Sequence, residues 1–392
     1  MKIESIRLKN FKAFANVEMR DIPRLCVLVG ANGTGKSSFF SVFGFLKDAL
    51  SGNVNTALAK LGGVRGFDEV RSRNASGAIE IELKFRENTR LVTYSLQIGQ
   101  RDGRAVVERE ILKYKRGSRG KPWHFLDFKQ GKGWAVTNEE TVKDEHDRKR
   151  EWQTLKSPDI LAVKGLAQFE RFPAVMALGS LIENWHISDF HINRARQEQE
   201  AGYAEHLSRE GENLRLVVEY LHQHHKPVFD KILTALKHRV PGITNIEPKL
   251  TEEGKVLLRF HDGAFKDPFQ AQHVSDGTMK MLAYLVLLYD PSPSPLLCVE
   301  EPENQLYPSL LGDLAEEFRD YAQRGGQVFV STHSPDFLNA AKLEEVFWLE
   351  KEQGYTKIKR AADDRQIAAY MRDGDKMGYL WKQGFFGGAD PK

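Results

Sequence analysis

"GANGTGKSS", Gly30–Ser38, lies between the apolar run "RLCVLV" (Arg24–Val29) and "FFSVFGFLKDAL" (Phe39–Leu50). An unbroken apolar run suits a strand buried on both faces of a sheet. Beyond the glycines, apolar residues recur at Phe39, Phe40, Phe43, Leu46 and Leu50, a helical spacing that stops at "SGN". The local order is therefore strand, glycine loop, helix. Gly30, Gly35, Lys36 and Ser37 fit G-x-x-x-x-G-K-[ST]. In that pattern backbone N–H groups turn toward phosphate oxygens, the lysine reaches the terminal phosphates and the hydroxyl ligates Mg²⁺. Asn32, Gly33, Thr34 and Ser38 complete the cradle. A bare glycine-rich turn would need neither the buried strand before it nor the helix after it.

The 392 residues, 41% of them apolar, suffice for one large or two moderate domains with a real core. A net charge of +3 permits contact with nucleic acid without demanding it. Cys26 and Cys298 sit inside short apolar runs, where cysteine behaves as a small hydrophobe, so no disulfide framework is expected. The opening "MKIESIRLKNFKAF" alternates charge with Ile and Leu, unlike a secretory signal. No run approaches the roughly 18 to 20 apolar residues that span a bilayer, and the expected place is the cytoplasm, away from membranes.

Residues 1–30 read as two strands, "IESIRLKNF" and "RLCVLVG". From about 78 to 135, "AIEIELKF", "RLVTYSLQIG", "AVVEREILKYK" and "WHFLDF" alternate between Gly- or Arg-rich turns, which predicts antiparallel sheet. Residues 136–211 are heavily charged and mostly helical in pattern, with "KDEHDRKREW" (143–152) as an exposed or mobile piece. Leu214–Val240 is amphipathic and interrupted by Pro227, which should kink or split it. Then come strands "ITNIEPKL" and "KVLLRFH", a helix over Asp276–Tyr289, and alternating strand and helix to about 350, the pattern of a parallel sheet with crossover helices.

Glu300 and Glu301 end the apolar strand "PLLCV", which sets two carboxylates at a strand mouth, where ligands bind in open α/β folds. The first can hold Mg²⁺ through its water shell; the second can orient or deprotonate the attacking water. Seen alone, the pair has a plainer, second reading as solvated carboxylates at a strand end. "STHS" (Ser331–Ser334) ends "QVFV" in the same way, bringing His333 to the edge where Glu301 emerges. It can donate to a γ-phosphate oxygen or relay a proton, and its neighbours are also good helix caps. In "VSDGTMK" (Val274–Lys280), Ser275 and Asp276 can cap the following helix and Gly277 admits a close backbone approach. Such a helix start is either a plain cap or a second anion site.

The order phosphate loop, long insertion, "VSDGT", "LLCVEEPEN", "STHS" resembles ATP-binding-cassette ATPases, and within them the heads of SMC and RecF proteins and related prokaryotic phage-defence ATPases of the overcoming-lysogeny-defect type. "LKNFKAF", which contains Lys12, looks like the strand that opens such heads. The resemblance implies an α/β P-loop NTPase with an ABC-type head, a mostly parallel sheet with an antiparallel β subdomain, and a helical insertion. The expected segments are an N-terminal ATPase lobe (1–135), a mainly helical insertion (136–242) and a C-terminal ATPase lobe (243–392). It also implies ATP and Mg²⁺ as cofactors, with Asn32 to Ser38 and Lys12 around the nucleotide and Ser37 and Glu300 at the metal. Glu301 is then the catalytic carboxylate and His333 the switch histidine, while Ser275 and Gly277 contact the γ-phosphate of another subunit and Asn304 lies in the D-loop. One motif of each kind per chain implies a homodimer or higher oligomer, or a heterodimer with a similar head.

Such a switch would act on DNA or on a separate effector such as a nuclease or toxin. The alternatives are an ATP-stabilised scaffold with little turnover and a RecF-like DNA repair clamp. The chain departs from the family pattern at two places. No Q-loop glutamine is evident, "GGVRGFDEV" (Gly62–Val70) standing about where it belongs, and Tyr307 follows "EEPEN" where many relatives have His. Weaker signals are "HQHH" (His222–His225), two basic clusters (Arg101–Lys121 and Arg148–Arg150) and "RDGDKMG" (Arg372–Gly378). These read first as packed or solvated side chains.

Overall fold

The computed structural model describes residues 2–87, 89–115, 121–139, 141–142, 144, 146–196 and 199–387. The chain divides into two compact units, one formed by residues up to Trp185 together with those from Lys342 onward, the other by His186–Ala341. These units cut across the three segments drawn from composition, because the strand Val346–Glu352 returns to pair in parallel with Leu25–Val29.

The first unit carries an eight-stranded antiparallel sheet. Its order runs from the edge Phe14–Met19 through Lys2–Phe11, Ile79–Glu87, Arg90–Arg101, Arg104–Tyr114, Trp123–Lys129 and Lys132–Val136 to the far edge Arg150–Thr154. Strict alternation builds it: in Ile79–Glu87, Ile79, Ile81, Leu83 and Phe85 are buried and the residues between them are not. The hairpin at Asp102–Gly103 has φ of 47° and 75°, the paired positive values of a type I′ turn, whose twist matches that of the strands it joins. The same unit holds the fully buried strand Leu25–Val29, and Tyr355–Arg360 pairs antiparallel with Val346–Glu352. The helix Lys36–Ser51 buries Phe39, Phe40, Phe43 and Phe45, and Phe43 meets Trp185 edge to face at 5.4 Å.

The second unit contains the parallel pair Leu296–Glu300 and Val328–Thr332, and the apolar helix Asp276–Leu288, in which every residue from Thr278 to Leu288 is buried. Leu214–Val240 splits as Pro227 requires, into helices Leu214–His224 and Lys226–Arg239 with the proline in the first turn of the second. Among the described residues no helix is long and apolar enough to cross a membrane, and Cys26 and Cys298 are buried thiols.

The reading of 136–211 as mostly helical is corrected. Its described helices are short (Ala162–Leu166, Pro173–Glu183 and Ile192–Ala195), while Arg150–Thr154, Trp185–Ser188 and Gln199–Glu200 are strands. The charged piece 143–152, of which 143 and 145 lie outside the described residues, therefore runs into an edge strand paired with Lys132–Val136. A backbone ladder forms whatever the polarity of the side chains, and charge on an edge strand discourages pairing with other chains. Further strands that escaped the sequence reading are Phe14–Met19, Lys132–Val136, Phe269–Gln270 and Tyr355–Arg360.

Glu110, fully buried, joins the antiparallel sheet to the segment that follows it. Its carboxylate accepts the N–H groups of Ala162 and Val163 and the Tyr94 hydroxyl. Burial pushes its pKa up to about 7, and the three hydrogen bonds only partly oppose this. The fold therefore prefers the protonated acid. The stability linked to it is fully present below the unfolded-state value of 4.5 and is lost as pH rises through about 7, an effect on the order of 3 kcal/mol. Urea midpoints measured from pH 4 to 8 should fall across this window in the native protein and fall less steeply in Glu110→Gln.

Candidate functional site

In the first unit, the strand Leu25–Val29 delivers the chain to Gly30, where a side chain would not fit: a Cβ there would lie 2.5 Å from Thr34 Oγ1 and 2.9 Å from Leu349 O. Thr34 Oγ1 donates to Ala31 O at 2.8 Å and tightens the turn. Gly35, the residue before the helix, has φ of 106°, and a Cβ on it would stand 2.8 Å from Thr356 Oγ1. That threonine donates from its hydroxyl to Thr34 O at 2.6 Å and from its N–H to Ala13 O at 2.8 Å. The loop is thus supported by a strand more than three hundred residues away in sequence. Lys36 Nζ lies across the loop, donating to Gly30 O at 2.6 Å. Asn32, Gly33 and Ser37 are exposed and Ser38 is half-buried, so the N-terminus of a sixteen-residue helix faces outward, where the positive end of its dipole favours an anion. Lys12, at φ of 47°, is held by its N–H to Val70 O, one residue before the Ala13 that supports the loop. In "GGVRGFDEV", Phe67 and Val70 are buried and Asp68 and Glu69 are exposed on a five-residue helix.

In the second unit, Glu300 is the last residue of its strand, paired with Ser331, and the chain turns sharply at Glu301, whose φ is 43°. A non-glycine residue held there is strained, and Gln305 at 67° repeats the feature four residues on. The strain is held by contacts. Asn304 Nδ2 donates to Glu301 Oε2 at 3.1 Å, Glu301 N donates to Ser331 O at 2.9 Å, and His333 Nδ1 stands 3.4 Å from Glu301 Oε1. Glu301 and His333 keep 33% and 42% of their side-chain surface exposed, enough for both to reach a ligand. Glu303 lies beneath them with 9% exposed; its Oε1 accepts Thr332 Oγ1 and His333 N, each at 2.8 Å.

The helix start at Ser275 is wired to the same turn. Ser275 Oγ accepts Thr278 N as an N-cap. A Cβ on Gly277 would come within 2.9 Å of Gln305 O. Lys280 Nζ donates to Asn304 O at 2.8 Å, and burial pushes its pKa down to about 8 against the pull of the Glu303, Asp189 and Glu301 carboxylates. Arg196 pairs with Asp276 Oδ1 at 2.7 Å and donates to Val274 O.

Residues 25–339 match the family described as "AAA domain, putative AbiEii toxin, Type IV TA system". The chain belongs to this AAA-domain family. Its fold is also that of solved SMC heads. The SMC head bound to the C-terminal winged-helix domain of ScpA is similar at a TM-score of 0.53 and 16% identity, covering 92% of this chain and 97% of that one. The Pyrococcus furiosus SMC head with an extended coiled coil, bound to the C-terminal domain of ScpA, gives 0.54 and 13%, covering 95% and 99%. At these identities the likeness concerns the P-loop NTPase fold alone.

In this AAA-domain protein the sequence-predicted residues fall into two groups. Lys12 and Gly30 to Ser38 belong to the first unit; Ser275, Gly277, Glu300, Glu301 and His333 belong to the second. Within the second unit Glu301 and His333 are brought together, as the two strand ends suggested. Glu303 and Lys280 were not singled out from sequence. Lys280 had a signal, a lone cation in the apolar run "TMKMLAYLVLLY"; Glu303 had none beyond its place in "EEPEN". Among the described residues no three His, Cys, Asp or Glu side chains cluster as a metal cage. Mg²⁺ does not require one, since it keeps several waters and takes few protein ligands beside substrate phosphates. The exposed Ser37 hydroxyl beside a loop in which Gly30 and Gly35 leave no room for a side chain fits that chemistry. The "HQHH" histidines pack on aromatics: His222 lies edge-on to Phe229 at 5.0 Å, and His225 Nε2 meets the Tyr220 hydroxyl at 3.1 Å.

Proposed function

We propose that this AAA-domain protein binds ATP with Mg²⁺ and hydrolyses it, and that two copies clasp the nucleotide between them. The Glu301–His333 arrangement carries the reading. It is a carboxylate at a strand mouth, held in a strained turn with one oxygen on Asn304 and the other beside a histidine. That is the placement a water-orienting base needs. Gly30 to Ser38 cradle the phosphates through backbone N–H groups and Lys36. Ser37 Oγ would hold Mg²⁺ directly and Glu300 through a water, and the ion would neutralise phosphate charge. Ser275 and Gly277 present a helix N-terminus to the γ-phosphate bound by the other copy, and His333 donates to a γ-phosphate oxygen. ATP then favours the closed pair over the open one through its differential affinity for the two. Closure and hydrolysis switch a separate effector, a toxin or nuclease, in phage defence. The family description, which names a toxin of a type IV system, supports that context, and DNA is a further candidate for the same control. The expected place is the cytoplasm.

Subunit exchange tests the shared site. Lys36→Ala and Ser275→Arg should each be inactive alone, and mixing them should restore hydrolysis, because one intact site per mixed pair is rebuilt. No recovery under exchange, or an ATP-loaded species with the mass of one chain, overturns the shared site. Turnover that is near zero and equal in the native protein and Glu301→Gln would favour the scaffold reading.

A further inference from the structure

The outer face of the antiparallel sheet, at its Arg150–Thr154 edge, carries features that nucleotide binding does not use. Trp134 and Trp152 are direct cross-strand partners, so they project on one face, and Trp152 is 72% exposed. Arg150, two residues from Trp152 and on the same face, holds its guanidinium over the Trp134 ring at 4.5 Å from the centroid. Along the next row, Lys132 and Lys129 are paired across the hairpin and both exposed, with exposed Arg109 on the adjoining strand. Asp127 is the one carboxylate among the described residues on this face of the three edge strands, and Arg109 already engages it at 3.1 Å. The opposite face is a covered one: Leu126 and Ala135 are fully buried, and Glu151 pairs with Arg171.

We infer that this edge is a binding platform for single-stranded nucleic acid, with Trp152 stacking unpaired bases beside the Arg150-capped Trp134 ring, and Arg150, Lys132 and Lys129 neutralising the backbone. The chemistry favours a strand over a duplex. Indole planes take base faces, which a duplex hides in its own stack, and flanking cations follow a flexible polyanion. Apolar partner proteins fit less well, since an exposed tryptophan row bordered by four cations and one engaged carboxylate complements negative charge. The platform lies within the first unit and does not depend on the ATPase reading.

The test uses the full chain without nucleotide, with fluorescein-labelled oligodeoxyuridylate and oligouridylate of about 20 nucleotides followed by anisotropy. Both strands should bind, the tighter one fixing the preferred sugar. Trp152→Ala should weaken binding about tenfold or more, with Trp152→Phe retaining most of it. Between about 50 and 200 mM salt, Lys129→Gln with Lys132→Gln should lower the slope of log affinity against log salt by about 1.4. Because these side chains are exposed, thermal melting should not change. Absence of saturable binding at low salt, affinity unaltered in Trp152→Ala, or a blunt duplex binding more tightly than either strand overturns the inference.

Discussion

Glu301→Gln is expected to lower single-turnover ATP hydrolysis by about 10²–10⁴-fold while ATP binding persists. The substitution is nearly isosteric, so the φ of 43° costs glutamine about what it costs glutamate, and a side-chain oxygen can still accept from Asn304 Nδ2. What disappears is the negative charge and basicity beside His333, the property on which orientation and deprotonation of water depend. Rapid-quench hydrolysis under excess enzyme reads the chemical step, and equilibrium dialysis with ATP reads binding. A variant that turns over like the native protein would remove Glu301 from the chemistry. Loss of binding in step with loss of rate would instead make it a ligand contact.

Glu303→Ala is expected to reduce hydrolysis by about 10–100-fold and to destabilise the protein by about 1.5–3 kcal/mol. One buried oxygen accepts both the Thr332 hydroxyl and the His333 N–H, so truncation frees two donors at once and releases the turn that presents the histidine. Hydrogen bonds to a charged group are the more valuable kind, and donors left unsatisfied add their desolvation cost. Glu303→Gln keeps a carbonyl acceptor and should recover most of the stability, which separates geometry from charge. Urea denaturation together with single-turnover rates checks both effects. If the alanine variant matches the native protein in both measurements, Glu303 is not the support of the histidine turn.

Lys280 extends this wiring. Its buried ammonium holds the backbone of Asn304, whose side chain holds Glu301, so the helix that begins at Ser275 and the carboxylate at the strand mouth share a chain of direct contacts. A displacement at one end has a short mechanical route to the other, within a single unit.

Much of this protein was legible in its residues. The phosphate loop, the buried strand before it, the parallel strands that end at Glu300 and Thr332, the split of the amphipathic helix at Pro227 and the pairing of Glu301 with His333 all follow from local rules: apolar runs, helical spacing, glycine and proline chemistry, and the habit of parallel strands to gather functional groups at one end. The charged stretch after residue 136 misled, because charge density speaks of solvent and not of hydrogen-bond ladders. Its strand at Arg150–Thr154 is specified by the neighbour it pairs with, Lys132–Val136. The hydroxyl of Thr356 under Thr34, the carboxylate of Glu303 under His333 and the ammonium of Lys280 on Asn304 are likewise products of tertiary structure. Each joins positions distant in sequence, and a single polar side chain leaves no periodic trace by which to find its partner. The sequence determined the chemistry that can occur, since phosphate cradles and strand-end carboxylates are local devices. Folding alone decided which side chains hold those devices in place, because a buried polar atom must be satisfied by whatever the packed chain brings beside it.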